Sequence, residues 1–313
     1  MAQESNSPTR SELDGLAERL AAWTPPATET PARIDREPAE RFAALLDADL
    51  GDQTSLPPLW LWFYFLEAWP QSNLGPDGHP VEAPFYPPLS PRARMFAGGR
   101  VQVLRDITFG EAVTRRSEVT DVDVKTGRTG ELVFVTVRHR YLGADGAVAL
   151  EEEQDHVYRT TPPSPGSGAA VAATAPATTG GAGAVVAPGR AVRLDRARGR
   201  LDFRPDPMQL FLFSALTHNA HRIHYDLPYA MGVEGFPGLV VHGPLLALLM
   251  LELGRRTDET PFLGSFEYRL RRPAFGGQHL VVARSSEEVT VSRHGDPTPL
   301  ATSRITAKEA SRA

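Results

Sequence analysis

Between positions 213 and 226 the chain reads Phe-Ser-Ala-Leu-Thr-His-Asn-Ala-His-Arg-Ile-His-Tyr-Asp, and His218, His221 and His224 recur there at every third residue. Imidazole both exchanges protons near neutrality and ligates metals, so such a cluster opens two chemistries. Neither a cysteine nor a His-Glu-x-x-His pair accompanies it, which argues against zinc, and no metal is expected. A solvated polar loop without chemistry is a further reading. The segment that follows favours proton chemistry. Residues 236–244, Phe-Pro-Gly-Leu-Val-Val-His-Gly-Pro, lead straight into an apolar helical stretch. Gly243 would open that helix, where unpaired N–H groups and the helix dipole favour an anion. An oxyanion forming on a carbonyl is such an anion. A histidine loop and a helix start about twenty residues apart therefore compose a base and an oxyanion hole.

These residues need a scaffold, and the pattern supplies one twice. In the second half a strand at 201–203 leads to an apolar segment at 210–215, the histidine loop, a helix at 244–255, and strands at 262–272, 279–288 and 300–306. In the first half, helices are expected at 13–23, stopped by Pro25-Pro26, and at 39–46. The aromatic run Leu59-Trp60-Leu61-Trp62-Phe63-Tyr64-Phe65-Leu66 reads as a buried helix. Strands are expected at 100–106, 112–125, 131–142 and 149–159, with turns at 125–127 and 144–146. Helix followed by antiparallel strands, twice over, indicates an α+β double hot-dog, each half a central helix wrapped by an antiparallel sheet. The phrases Ile-Thr-Phe-Gly-Glu at 107–111 and Arg-Pro-Ala-Phe-Gly-Gly-Gln at 272–278 hint at a repeat.

The chain has 313 residues, which suits two domains, and a net charge of -5. All but Lys125 and Lys308 of its 33 cationic side chains are arginines, and they are scattered, so no nucleic-acid footprint is expected. Cysteine is absent, which excludes disulfides, thiol nucleophiles and iron–sulfur clusters and suits a reducing cytosol. The longest uncharged apolar run, 239–251, contains His242-Gly243-Pro244 and is shorter than the ~20 residues of a membrane span. The first eleven residues lack the apolar core of a signal peptide. Cytoplasmic placement without membrane association is expected. Residues 160–189, uncharged and rich in Ala, Gly, Pro and Thr, read as a flexible linker between a domain at 1–159 and one at 190–306, with a frayed tail at 307–313.

The loop resembles the signature of the MaoC-like, (R)-specific enoyl-CoA hydratases. That signature is Asp-x-Asn-Pro-x-His-x-Asp, then Tyr-Ala, then His-Gly before the central helix, and this chain supplies Asn219, His224-Tyr225-Asp226, Tyr229-Ala230 and His242-Gly243. It is most similar to the two-domain subgroup of mesaconyl-C4-CoA and itaconyl-CoA hydratases and hydroxyacyl-thioester dehydratases. The phrases Leu56-Pro57-Pro58-Leu59-Trp60 and Arg94-Met95-Phe96-Ala97-Gly98-Gly99-Arg100 carry the first half's part of that likeness, which implies a non-catalytic first domain. One departure stands out: Thr217 occupies the place of the usual catalytic aspartate, and a hydroxyl orients water but is no base near neutrality.

The resemblance implies a hydro-lyase acting on an acyl-CoA or acyl-carrier thioester, with coenzyme A part of the substrate, no separate cofactor, and a homodimeric assembly; a thioesterase on the same fold and a catalytically silent acyl-thioester binding module, the latter suggested by Thr217, are the alternatives. His224, with an ordinary pKa near ~6.5, would be the acid/base. Asn219 would hold the water and the Gly243 N–H would receive the enolate oxygen. Asp226 would either orient a loop histidine or cap the next turn. Arg222 would bind a dicarboxylate's second carboxylate or serve a structural ion pair. His218, His221 and His242 are expected to be structural or substrate-lining.

Overall fold

A computed structural model describes residues 16, 18, 20–89, 93–127, 130–159, 192–257, 263–285 and 288–307. The expected linker at 160–189 and the tail beyond 307 lie outside the described residues, as do positions 13–15, 17 and 19 of the leading helix, of which Leu16 and Leu20 are buried.

Eleven strands form one antiparallel sheet. The first half contributes β1 (Thr28–Arg33), β2 (Ala93–Val103), β3 (Ala112–Gly127), β4 (Gly130–Leu142) and β5 (Val148–Arg159). The second contributes β6 (Arg193–Asp195), β7 (Arg200–Phe203), β8 (Leu263–Leu270), β9 (Leu280–Arg284), β10 (Val289–Arg293) and β11 (Asp296–Ala307). Their order is β1-β3-β4-β5-β2-β8-β11-β10-β9-β7-β6, so the halves join where β2 pairs with β8, Gly98 opposite Arg269 and Arg100 opposite Glu267. Gly98-Gly99 permits that seam, because a Cβ at Gly98 would strike the Tyr268 carbonyl and one at Gly99 the Glu153 carbonyl.

Besides the leading helix, there are four helices among the described residues, α1 (Arg36–Leu45), α2 (Pro207–Leu216), α3 (Leu227–Gly232) and α4 (Gly243–Thr257), of which α4 packs against β2, β9, β10 and β11 while α1 and α2 pack on each other. In α4, Leu245 through Met250 are all buried, as befits a helix that is apolar all round and enclosed by strands. Its buried Glu252 is paired with Arg255 at 2.8 Å and Arg256 at 3.2 Å, and these arginines also bond the Asp49 and Leu46 carbonyls of the first half. The strands at 289–293 and the short α3 were not expected from sequence.

The repeat is real in three dimensions. Thr108 N–H donates to the Glu111 carboxylate at 3.1 Å, and Phe275 N–H donates to the Gln278 amide oxygen at 3.0 Å, closing the same turn. Gly110 and Gly277 sit at φ +87° and +82° in those turns, a region open to glycine. Leu56 N–H bonds the Ile107 carbonyl just as Val241 N–H bonds that of Ala274. After Val241 the chain enters α4. At the matching place in the first half it makes only a 3₁₀ turn, Trp60–Phe63. The expected aromatic helix is thus one turn long. Pro57-Pro58 and the left-handed Leu59 (φ 64°) precede it, and its rings are held individually: Trp60 and Phe63 pack on Phe42 at 4.8 and 4.5 Å, while the Trp62 indole donates to buried Glu152 at 2.8 Å.

Candidate active site

The loop that carries the histidines is built from the end of α2 onward. Asp206 and Gln209 form a reciprocal capping box at the start of that helix, with Pro207 in its first turn. At its end Thr217 donates its hydroxyl to the Phe213 carbonyl at 2.8 Å. His218 turns the chain at φ 51° and its Nδ1 meets the Glu67 carbonyl at 2.6 Å, a tie to the first half. Asn219 N–H bonds the Ser214 carbonyl at 2.8 Å, and its side-chain oxygen accepts the His221 N–H at 3.0 Å. A 3₁₀ turn at Arg222–His224 then delivers His224, and Asp226 caps α3 by accepting the Tyr229 N–H at 3.1 Å.

His224 is buried with its Nδ1 2.8 Å from the Val240 carbonyl. A carbonyl oxygen only accepts, so Nδ1 carries the proton and Nε2 keeps a lone pair. Its ring stacks on His242, centroids 3.6 Å apart, and His242 in turn meets the Ser214 hydroxyl at 2.9 Å. Burial pushes the His224 pKa down to about 4, well under the ordinary value expected from sequence, despite the Val240 bond that favours the charged form. Burial, with the neighbouring imidazoles, also holds His242 and His221 well below the usual range. At neutral pH these rings are neutral, and His224 is an uncharged base.

Gly243 opens α4 beside this ring. Its N–H lies in the first helical turn, which has no intrahelical acceptor. A Cβ here would run into Leu270 and approach Phe96 to 3.6 Å, so this point of close approach is reserved for a bare backbone. Thr217, Asn219, His224 and Gly243 all line one cavity of 1280 Å³. Its far wall comes from the first half, where the short turn at Trp60–Phe63 leaves the inner face of β2–β5 open, and Arg94, Arg115, His139, Gln154 and His156 face it.

For three residues the sequence left two readings each, and the contacts made here are those of the structural one. Asp226 does not orient a histidine: it caps α3 and pairs with Arg222 at 2.7 Å, and that arginine holds its carboxyl below the usual range. Arg222 also donates to the Pro76 carbonyl at 2.9 Å, lies over the Tyr229 ring at 4.1 Å, and is not on the cavity wall. His242 is 0% exposed, off the cavity wall and stacked on the His224 ring.

A feature missed in the sequence completes the site. The turn Gly75–Pro80 of the first half lies against the histidine loop: Arg222 N–H bonds the Asp77 carbonyl at 2.9 Å. Asp77 binds the ring Nδ1 of His79 at 3.0 Å, and the His79 ring lies 4.1 Å from that of His221, which is 5.5 Å from His224. Asp77, His79 and His221 present ligand-type atoms within 4.8 Å of one another. The signal available was an Asp-Gly-His-Pro turn, but nothing local in it points to a loop so distant in the chain.

Comparison with known proteins places this architecture. A MaoC-like dehydratase structure matches with a TM-score of 0.60 at 18% identity, over 92% of this chain and 100% of that one. A Mycobacterium tuberculosis protein described as having a double hotdog fold matches with a TM-score of 0.53 at 14% identity, over 90% and 95%. The fold is the double hot-dog of MaoC-like proteins. Over 238 residues the chain is 42% identical to the mesaconyl-C(4)-CoA hydratase of Chloroflexus aurantiacus, covering 74% of this chain and 77% of that protein. The family model for hydroxyacyl-thioester dehydratase type 2 matches residues 59–276, and the chain belongs to that family.

Proposed function

We propose that the protein is a hydro-lyase that reversibly adds water across the C2=C3 bond of an enoyl thioester to give a 3-hydroxyacyl thioester. The observation that carries this reading is the pairing of a neutral His224, its Nε2 lone pair free, with the Gly243 helix start on one cavity wall. In hydration the water oxygen bonds C3 while its proton passes to His224 Nε2. The C2=C3 electron pair moves onto the thioester oxygen, where the Gly243 N–H and the α4 dipole stabilise the enolate. The carbonyl then re-forms as C2 takes a proton. Asn219, whose oxygen is fixed by the His221 N–H, directs its NH₂ group to the water. Thr217 acts as a helix cap whose oxygen still accepts. No separate cofactor or metal is required by these steps; coenzyme A or a carrier's pantetheine belongs to the substrate.

For the acyl group, Arg94 replaces Arg222 as the cation able to meet a second carboxylate. Arg94 stands two residues from Phe96 on β2, hence on the same face and ~7 Å along the strand from the residue beside Gly243. Its Nη atoms bond Tyr86 and His156, both uncharged partners, at 3.0 and 3.1 Å, and its Nε has no partner among the described residues. This favours a short dicarboxylic enoyl-CoA such as mesaconyl-C4-CoA or itaconyl-CoA. The test follows enoyl absorbance and free thiol together on mesaconyl-C4-CoA, itaconyl-CoA and crotonyl-CoA. Enoyl loss without thiol, fastest with the dicarboxylic substrates, is expected; thiol release, or no turnover of any of them, overturns the reading.

A cytoplasmic homodimer belongs to the same proposal. The cysteine-free composition suits the cytosol, and no helix among the described residues is long and apolar enough to cross a membrane. Met208, Phe211 and Leu212 on α2 and Leu227 and Met231 on α3 are exposed, an apolar face of the kind a second copy covers. Light scattering that gives the monomer mass would refute the dimer.

A further inference from the structure

We propose that Asp77 and His79, carried by the first half, form a second acid/base pair of this site and exchange the C2 proton of the acyl chain while His224 exchanges the proton of water. The proposal rests on the hydration reading and gives the first half a catalytic part in it.

Hydration moves two protons at two atoms. His224 has Val240, His242 and His221 as its neighbours, and no carboxylate hydrogen-bonds its ring among the described residues. The nearest acid of its own loop, Asp226, is committed to Arg222 and the cap of α3. Three carboxylates line the cavity. Glu67 lies toward Arg115 at 3.6 Å, Glu234 accepts from the Tyr229 hydroxyl at 3.1 Å, and Asp77 alone of the three is bonded to a cavity-lining histidine. A carboxylate only accepts, so His79 presents Nδ1–H to Asp77 and keeps Nε2 for exchange. Among the described residues no carboxylate hydrogen-bonds the ring of His221, which lies between the two.

The turn is built to hold this pair still. Asp77 Oδ1 also accepts the His79 N–H at 3.0 Å, and the Asp77 and Pro76 carbonyls accept from the Arg222 backbone and side chain. Gly78 is at φ +91°, and a Cβ on it would collide with the Ala220 carbonyl of the histidine loop. The side chains of Asp77 and His79 are 29% and 18% exposed, reached from the cavity and not from bulk solvent alone.

The steps balance. The water oxygen–C3 bond forms and one water proton goes to His224 Nε2, with the C2=C3 pair moving onto the thioester oxygen. The step starts from His79 protonated on both ring nitrogens beside the Asp77 carboxylate; as the carbonyl re-forms, the Nε2–H bond breaks and its proton forms the C2–H bond, leaving a neutral His79 that keeps Nδ1–H on Asp77. One proton has then passed from His79 to His224, and exchange with water in the open cavity restores both. A divalent cation is the competing use of Asp77, His79 and His221, but Asp77 Oδ2 and His79 Nδ1 already satisfy one another.

The test compares the wild type with His79→Gln and Asp77→Asn on whichever of the three enoyl-CoA substrates turns over fastest, measuring kcat, KM and the solvent deuterium isotope effect on kcat. His79→Gln should lose about 100-fold in kcat with KM within about threefold, and Asp77→Asn about tenfold. The isotope effect should grow in both, because C2 protonation becomes limiting; a merely structural loss lowers the rate and leaves that ratio unchanged. Retained kcat, or a loss with the wild-type isotope effect, overturns the pair while leaving the hydratase intact. Wild-type protein inactive on all three substrates overturns the hydration reading and the pair together. Loss of wild-type activity on EDTA dialysis, restored by zinc, would instead make the cluster a metal site and overturn the pair.

Discussion

At the scale of residues, the proposed hydration depends on one imidazole kept neutral. His224 donates Nδ1–H to Val240, stacks on His242 and is pushed by burial to about 4, so at pH 7 its Nε2 is available as a base without prior loss of a proton. A base so weakened is a strong acid once it holds the water proton, which suits the reverse reaction equally. His224→Ala should lower kcat/KM by at least ~100-fold, measured as enoyl absorbance loss, with the fold intact by circular dichroism. A variant within threefold of wild type would remove His224 from the mechanism. Part of this was legible in the sequence: Asn219, His224 and Gly243 line one cavity, because a histidine loop and a helix start lie close along the chain, whereas the lowering of the His224 pKa comes from burial that the local sequence does not show. For Arg222, Asp226 and His242 the sequence left two readings each. An arginine four residues before an aspartate is an ion pair or a substrate contact depending on which way the turn faces, and only the packing against Tyr229 and Pro76 decides it.

At the scale of elements, helix α4 and the turn Gly75–Pro80 do the positioning. The helix was readable because ten consecutive residues from Leu245 to Gly254 are almost wholly apolar, and the long strands because their side chains alternate. The aromatic run was read as a helix from composition, yet its residues each serve a separate contact and the chain makes a single 3₁₀ turn. The Gly75–Pro80 turn escaped notice because its partner is the histidine loop of the other half. Gly78→Ala puts a Cβ against the Ala220 carbonyl in a backbone region that disfavours side chains. It should cost ~1–3 kcal/mol in urea unfolding and reduce turnover by detaching the turn from the loop. An unchanged unfolding midpoint would show that the two loops are not locked together.

At the scale of the whole molecule, the two halves share one sheet, one apolar core and one cavity, and the first half trades a long central helix for open space in which polar side chains such as Arg94, His139 and His156 are set among apolar ones. The cost of that interior appears in its histidines. Burial first of all pushes His139 to about 3 and His224 to about 4, and His156, His221 and His242 well below the usual range. In the unfolded chain each titrates near ~6.5. Between there and about 4 the unfolded state binds protons that the folded state refuses, so stability falls as the pH drops, by up to ~1.4 kcal/mol per pH unit for each histidine. Glu152, whose carboxyl is raised by burial, acts with the opposite sign, one group against five. The melting temperature should therefore be lower at pH 5 than at pH 7.5, and an equal or higher value at pH 5 would contradict this assignment of buried neutral rings. The fate of the water itself tests the central claim most directly. After turnover in ¹⁸O-water, mass spectrometry should find one ¹⁸O in the C3 hydroxyl of an intact 3-hydroxyacyl thioester. Label in a free carboxylate, accompanied by released thiol, would show attack at the thioester carbon and contradict the account.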